Sequence, residues 1–326
     1  MFLIAGLLGM ALSGVMMIAP LSFDADAEDP APDPVEGDPV GEGASSPLSV
    51  ALEGASGPGA TADAQDMLAG DHLSDRLGGS AVDPIAFDSD AIFGGSGDDA
   101  MQGGDRNDLM LGGDGDDLAS GGAGRDEIQG GGGDDTLFGG GGDDVLLGEE
   151  GDDLLGGGNG ADLLSGGEGA DRLGGGAGDD RLFGGLGADE LAGGLGDDLL
   201  DGTVMENGFD VDTGDTLSGG DGDDTLAGDA GDVLIGGAGA DHYLFRAAPV
   251  TLDPAASDAY AAPRIEDFDP EADLIEIEYE AAGTPPDLSI SRTAEGSELR
   301  LDGELVAFVA GPAVVEAGHV SLVALA

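Results

Sequence analysis

Between Gly94 and Asp201 an aspartate returns at every ninth residue: Asp99, Asp108, Asp117, Asp126, Asp135, Asp144, Asp153, Asp162, Asp171, Asp180, Asp189 and Asp198. The series goes on with its phase slipped, through Asp215, 17 residues after Asp198, then Asp224, Asp232 only eight later, and Asp241. Carboxylates in such numbers are uninformative as general acids or bases, because any two could be called a pair. Their fixed interval fits metal ligation instead. Calcium takes about six to eight oxygen ligands in flexible geometry, which carboxylates and backbone carbonyls supply. Magnesium demands rigid octahedral geometry and gives up water reluctantly. Zinc is disfavoured, since the chain has no Cys and only three His (His72, His242 and His319), none at ligand spacing to another.

The aspartates are held by a nine-residue unit, as in GGGGDDTLF (130–138) and GGGGDDVLL (139–147). Glycine fills places one, two and four of most units, aspartate place six and an apolar residue place eight, which from Leu137 to Leu200 is always Leu. Glycine permits a tight turn with positive φ and a close backbone approach. The last three residues, typically x-Leu-x, can form a very short strand with the middle side chain pointing inward. Two units then close one turn of a flattened coil, stacked coils line their leucines into a narrow core, and aspartates two units apart, such as Asp126 and Asp144, form a column. That column repels itself: Gly94 to Phe245 holds 37 acidic residues against four Arg. A cation between the turns is required. Six coils about 4.8 Å apart give a rod of roughly 30 Å.

Composition agrees. The 326 residues carry 69 acidic and nine basic side chains, a net charge of −60, with 66 Gly, no Cys and no Trp. Nucleic acid and anionic lipid, which need cationic side chains, are excluded as partners. Residues 1–23 are apolar and free of charge, and read as either a membrane anchor or a secretion signal, with Ala25-Asp26-Ala27 as a cleavage site. Any membrane contact is expected through them alone. The Asp/Glu/Pro/Ala/Gly/Ser-rich stretch that follows cannot bury enough apolar surface to order itself, so 24–93 reads as a mostly disordered acidic linker. Within it, Met67, Leu68, Leu73 and Leu77 suggest a short helix. Beyond residue 245, alternating runs such as Leu274-Ile275-Glu276-Ile277-Glu278-Tyr279 and Leu305-Val306-Ala307-Phe308-Val309 read as strands of a small β domain, 246–326, closing the stack.

The unit resembles the calcium-binding nonapeptide of RTX (hemolysin-type) proteins, G-G-x-G-x-D-x-U-x. Gly236-Gly237-Ala238-Gly239-Ala240-Asp241-His242-Tyr243-Leu244-Phe245, followed by Arg264-Ile265-Glu266-Asp267-Phe268, is similar to the end of such arrays and their C-terminal cap. The resemblance implies an all-β chain: a parallel β-roll over 94–245 with calcium between adjacent turns, then the β cap. It also implies export by type I secretion machinery through an uncleaved C-terminal signal, and folding in calcium-rich surroundings. Several units depart from the pattern. Arg106 takes a fourth place, Glu149-Glu150 the second and third, Ala119 an eighth, and 202–210 (GTVMENGFD) reads as a degenerate unit with Asn207 at the aspartate place and Phe209 at the apolar one. Calcium sites beside Arg106 and Glu149, and between Gly202 and Asp215, are the expected weak points.

No H-E-x-x-H, G-x-S-x-G or P-loop occurs in the chain, and a non-enzymatic role is expected. The leading reading is a secreted or cell-surface calcium-binding protein with several bound Ca²⁺. The alternative is a surface adhesion or matrix protein, in which the roll is a rigid spacer and the C-terminal β domain binds a glycan or protein.

Overall fold

The computed structural model describes residues 67–69, 76–78, 91–203, 205–206, 209–210, 214–247, 262–280 and 285–325. The apolar segment 1–23 and the linker up to residue 66 lie outside the described residues. The fold is an all-β parallel roll. One sheet runs through Ala91–Ser96, Leu109–Asp114, Glu127–Gly132, Val145–Glu150, Leu163–Glu168, Arg181–Leu186 and Leu199–Asp201. The opposing sheet runs through Ala100–Gly104, Leu118–Ala123, Thr136–Gly141, Leu154–Asn159, Arg172–Ala177 and Glu190–Leu195. Successive strands alternate between the sheets, so two units make one coil and each residue lies beside the one 18 positions on, as Leu155 beside Leu137 and Leu173.

Most strands are longer than the three residues expected. They are six residues, covering places seven to nine of one unit and one to three of the next, as in Thr136–Gly141. The strand therefore passes through the glycine pair, and only places four to six turn. Place eight points inward. Ile128, Leu146, Leu164 and Leu182 from one sheet meet Leu137, Leu155, Leu173 and Leu191 from the other, all at most 1% exposed. Burying a leucine stabilises by roughly 1.5–3 kcal/mol, so each coil has two such contributions and little else that is apolar inside. Ala119 keeps its place in this core.

Three features depart from expectation. Met67–Ala69 and Arg76–Gly78 are strands rather than part of a helix, pairing in parallel with Ala91–Phe93 and Ala100–Gln102 to prolong both sheets. Unit 202–210 is not a unit of the roll. Met205–Glu206 and Phe209–Asp210 pair with each other in an antiparallel hairpin, and the sheet resumes at Thr216–Asp221, which lies directly beside Glu190–Leu195. The second slip is a shortened turn after the strand Thr225–Gly228, after which Val233–Ala238 takes up the register.

The C-terminal strands continue the same two sheets. Leu274–Glu280 pairs in parallel with His242–Arg246 and carries Val320–Leu325 on its far side. Arg264–Ile265 links Val233–Ala238 to Glu304–Ala310, from which Gly296–Leu301 and Leu288–Arg292 fold back antiparallel. Phe245, Phe268, Ile277, Leu299 and Val309 form a wider core there.

Candidate metal centre

Places two and four sit at positive φ, for example Gly140 at 112° and Gly142 at 133°, a region that side chains with a Cβ enter at a cost. Glu149 enters it at 86°, and its side chain accepts a hydrogen bond from Gln129 Nε2 at 2.5 Å. Place one has ordinary φ and is glycine for a different reason. A Cβ on Gly94 would lie 2.5 Å from Oδ2 of Asp99 and 2.6 Å from the Gly112 carbonyl oxygen. The missing side chain is the space in which a carboxylate oxygen and a backbone carbonyl of the next coil approach each other.

The place-six aspartates are brought together in two ladders, one along each turn edge. The Asp99 N–H donates to Asp117 Oδ1 at 2.8 Å, and the pattern runs on through Asp135, Asp153, Asp171, Asp189 and Asp215. The other ladder runs from Asp108 through Asp126, Asp144, Asp162, Asp180, Asp198, Asp224 and Asp241. All fifteen of these residues are at most 3% exposed. The ladders pass the weak points unbroken: Asp153, beside Glu149-Glu150, accepts from Asp135 at 2.7 Å, and Asp189 donates across the hairpin excursion to Asp215 at 2.8 Å.

Two rungs are additional to the expected set. Asp232 accepts from the Asp215 N–H at 2.9 Å through Oδ1 and from the Asp229 N–H at 2.7 Å through Oδ2. Asp273 accepts from Asp241 at 3.0 Å and Asp269 at 2.7 Å, ending the second ladder. Asp232 was legible as the next member of the slipped series. Asp273 was not, because 32 residues separate it from Asp241.

A further ladder was missed altogether. The exposed place-five residues run in the opposite sense, Asp116 N–H to Asp98 Oδ1 at 3.2 Å, then Asp134 N–H to Asp116 and Asp152 N–H to Asp134, each at 3.0 Å. The Asp-Asp doublets of the repeat were its signal.

In ten of these inner carboxylates one oxygen is thus used by the backbone and the other is not. Oδ2 of Asp117, Asp126, Asp135, Asp144, Asp153, Asp162, Asp171, Asp180, Asp198 and Asp224 is buried and accepts no hydrogen bond. A buried carboxylate oxygen without a partner is costly. Burial accordingly pushes the Asp126 carboxyl up to about 7, against the hydrogen bond from the Asp108 N–H, with the Asp144 and Asp108 charges adding to the rise. Asp162 and Asp117 are pushed to about 6 by the same leading cause. Among the described residues no three His, Asp or Glu side chains converge on one point. A cation here would draw on single carboxylates and on place-one carbonyls. These are hard oxygen donors carrying negative charge, and the set fits calcium.

The family model of the RTX calcium-binding nonapeptide repeat matches residues 93–128, 120–155, 129–164, 156–191, 174–203 and 211–243. Among solved structures the chain is similar to a subunit of the Azotobacter vinelandii mannuronan C5-epimerase, at 27% identity over 47% of this chain and 78% of that one, with a TM-score of 0.25. It is also similar to an extracellular lipase of Serratia marcescens, at 17% identity over 73% of this chain and 45% of the lipase, with a TM-score of 0.21. Comparison with curated proteins gives no match. Residues 93–203 and 211–243 of this chain are RTX calcium-binding nonapeptide repeats, present in multiple copies and binding multiple calcium ions.

Proposed function

We propose that this is a secreted or cell-surface calcium-binding protein whose roll folds on the ion outside the cytosol. The observation that carries the reading is the row of buried Oδ2 atoms without hydrogen-bond partners on Asp117, Asp126, Asp135, Asp144, Asp153, Asp162, Asp171, Asp180, Asp198 and Asp224. The rungs Asp99, Asp108, Asp117, Asp126, Asp135, Asp144, Asp153, Asp162, Asp171, Asp180, Asp189, Asp198, Asp215, Asp224 and Asp241 would hold the ions together with place-one carbonyls. Asp232 and Asp273 close the two ladders. Without cations the folded roll stacks this charge coil upon coil about 4.8 Å apart while the extended chain spreads it, so the ion supplies folding free energy by mass action. Extracellular calcium modules have dissociation constants of about 10⁻⁴ to 10⁻³ M, a range that leaves such a chain unfolded in the cytosol and folded outside. In this reading residues 246–326 cap the roll and carry the export signal that the family resemblance implies. The uncharged apolar residues 1–23 are the segment that would hold the chain at a surface; among the described residues no helix is long and apolar enough to cross a membrane.

Far-UV circular dichroism during a calcium titration, with magnesium as control, tests the reading. A cooperative gain of β signal at submillimolar to millimolar calcium and none with magnesium is expected. Equal β content with and without calcium would sink it.

A further inference from the structure

The two sheets differ on their outward faces. On the sheet that contains Val145–Glu150, the place-seven column reads Leu109, Glu127, Val145, Leu163, Arg181, Leu199, each directly beside the next. Leu111, Leu147 and Phe183 stand beside it in the place-nine column of the same strands. Gln129 and Ser165 stand between them in that column, and Gln129 is hydrogen-bonded to Glu149 on the same face. The rest of each strand is mostly glycine, with Asp114, Glu150 and Glu168 at the strand ends and the acidic ladders at the turns beyond them. In the opposing sheet the corresponding columns are less apolar: Leu118, Leu154 and Phe138 share them with Thr136, with Arg172 and Glu190, which pair with each other at 3.2 Å, and with Gly156 and Gly174, which carry no side chain.

The place-seven column is self-complementary when reversed. Rotation by 180° about an axis along the strand direction, midway between Val145 and Leu163, keeps place seven over place seven and inverts the order of coils. Leu109 then faces Leu199, Val145 faces Leu163, and exposed Glu127 faces exposed Arg181, twice in the pair, while at the solvent-facing strand ends exposed Glu150 faces exposed Glu168. Neither charge pairs with another side chain among the described residues. A two-fold axis along the stack would instead lay the apolar half of each strand on the glycine half of its mate and leave both charges unmatched. A two-fold interface buries the same patch on both partners. Six residues of strand by the six strands from Leu109 to Leu199 give a footprint of about 20 Å by about 29 Å, or roughly 1,150 Å² counted on both copies, above the ~1,000 Å² that a specific interface needs.

We propose that two copies of this chain associate through this face, sheet on sheet, with their roll axes antiparallel and Glu127 of each copy opposite Arg181 of the other. Since the face exists only in the folded roll, association follows calcium.

Sedimentation velocity on the full chain in millimolar calcium, over a hundredfold range of protein concentration, should show a reversible dimer. Like charges set opposite each other oppose association, so Arg181→Glu and Glu127→Arg should each raise the dimer dissociation constant about tenfold or more. The double variant E127R/R181E should restore it. The chain has no cysteine, so L109C and L199C variants can be joined by a short bismaleimide. Mixed samples should crosslink L109C to L199C, while L109C alone should not crosslink to itself. Circular dichroism on every sample keeps loss of association apart from loss of fold. A chain that stays monomeric throughout, a dimer indifferent to both charge reversals, or L109C joining chiefly to itself would overturn the proposal.

Discussion

The repeat array and the C-terminal strands share the same two sheets, yet they are held together by different means. A coil of the array buries two leucines and two aspartates, and four arginines stand against the 37 acidic residues of 94–245. The C-terminal part buries Phe245, Phe268, Ile277, Leu299 and Val309 in one cluster and sets its arginines against glutamates, Arg246 with Glu278 and Arg300 with Glu298, each at 3.1 Å. Arg264 pairs with Glu266 and lies 5.1 Å from the Phe308 ring centre. Tyr243 ties the two parts together: its hydroxyl accepts from the Gly236 N–H at 3.0 Å and donates to Asp267 at 3.1 Å, and burial raises its pKa. The difference teaches that two stretches of the same two sheets can differ in what holds them: packing and ion pairs in one, and, in the reading proposed above, a dissolved ion in the other.

Removing calcium should expose that difference most. With a chelator present, limited proteolysis should cut throughout 91–245 while fragments spanning 262–325 persist. Uniform loss of both would show a single cooperative unit. A smaller contrast lies within the glycines. A Cβ on Gly157 would meet the Gly175 carbonyl oxygen at 2.7 Å and Asp162 Cβ at 2.8 Å, whereas one on Gly141 meets nothing within 4 Å. Gly157→Ala should cost about 1–3 kcal/mol and raise the calcium midpoint, with Gly141→Ala within about 0.5 kcal/mol of the parent, both read from calcium-dependent thermal melts.

Acid should separate the two regions again. Burial holds Asp126, Asp135 and Asp171 at about 7 when folded, against 3.8 otherwise. Between those values the ion-free roll binds more protons than the unfolded chain, so its stability rises as pH falls from about 7 towards 4. Protons occupy the same oxygens as calcium, so the calcium midpoint should move upward over the same window. Titrations at pH 7.5 and 5.5 with circular dichroism check both signs, and an unmoved midpoint would contradict the assignment of the rungs as ligands. The smallest effect is expected at Glu149, whose φ of 86° strains a side chain. Glu149→Gly should stabilise the calcium-loaded roll by about 1 kcal/mol, less whatever the lost Gln129 contact contributes, seen as a small rise in melting temperature.

Much of this was legible beforehand, because aspartate and leucine at fixed places impose the period, the inward face and the ligand type together. The hairpin at 205–210 was misread as a repeat unit since Asn207 and Phe209 fall where an aspartate and a leucine would. The strands at 67–69 and 76–78 were missed because Met67, Leu68, Leu73 and Leu77 suggest a helix, although Asp66-x-Leu68 and Asp75-x-Leu77 stand nine residues apart in the pattern of places six and eight. Asp273 shows only the short Asp273-x-Ile275 signal of places six and eight, outside any nine-residue period, because its rung is set by the return of a distant strand. The opposed sense of the inner and outer ladders depends on side-chain direction, which periodicity does not encode.

That opposed sense gives the roll a beginning and an end. Each inner rung is completed from the C-terminal side, by the carboxylate of the coil that follows it, while the exposed rung is completed from the N-terminal side. Cutting whole coils from the N-terminal end would remove donors and leave carboxylate oxygens facing solvent, which water can satisfy. A cut from the other end would strip the terminating rungs Asp232 and Asp273 and leave aspartate N–H groups without their carboxylate acceptors. The two ends of the array are therefore chemically unlike, one ending in acceptors and the other in donors, and its length changes by two units at a time, because a single unit would carry the residues of one sheet onto the other.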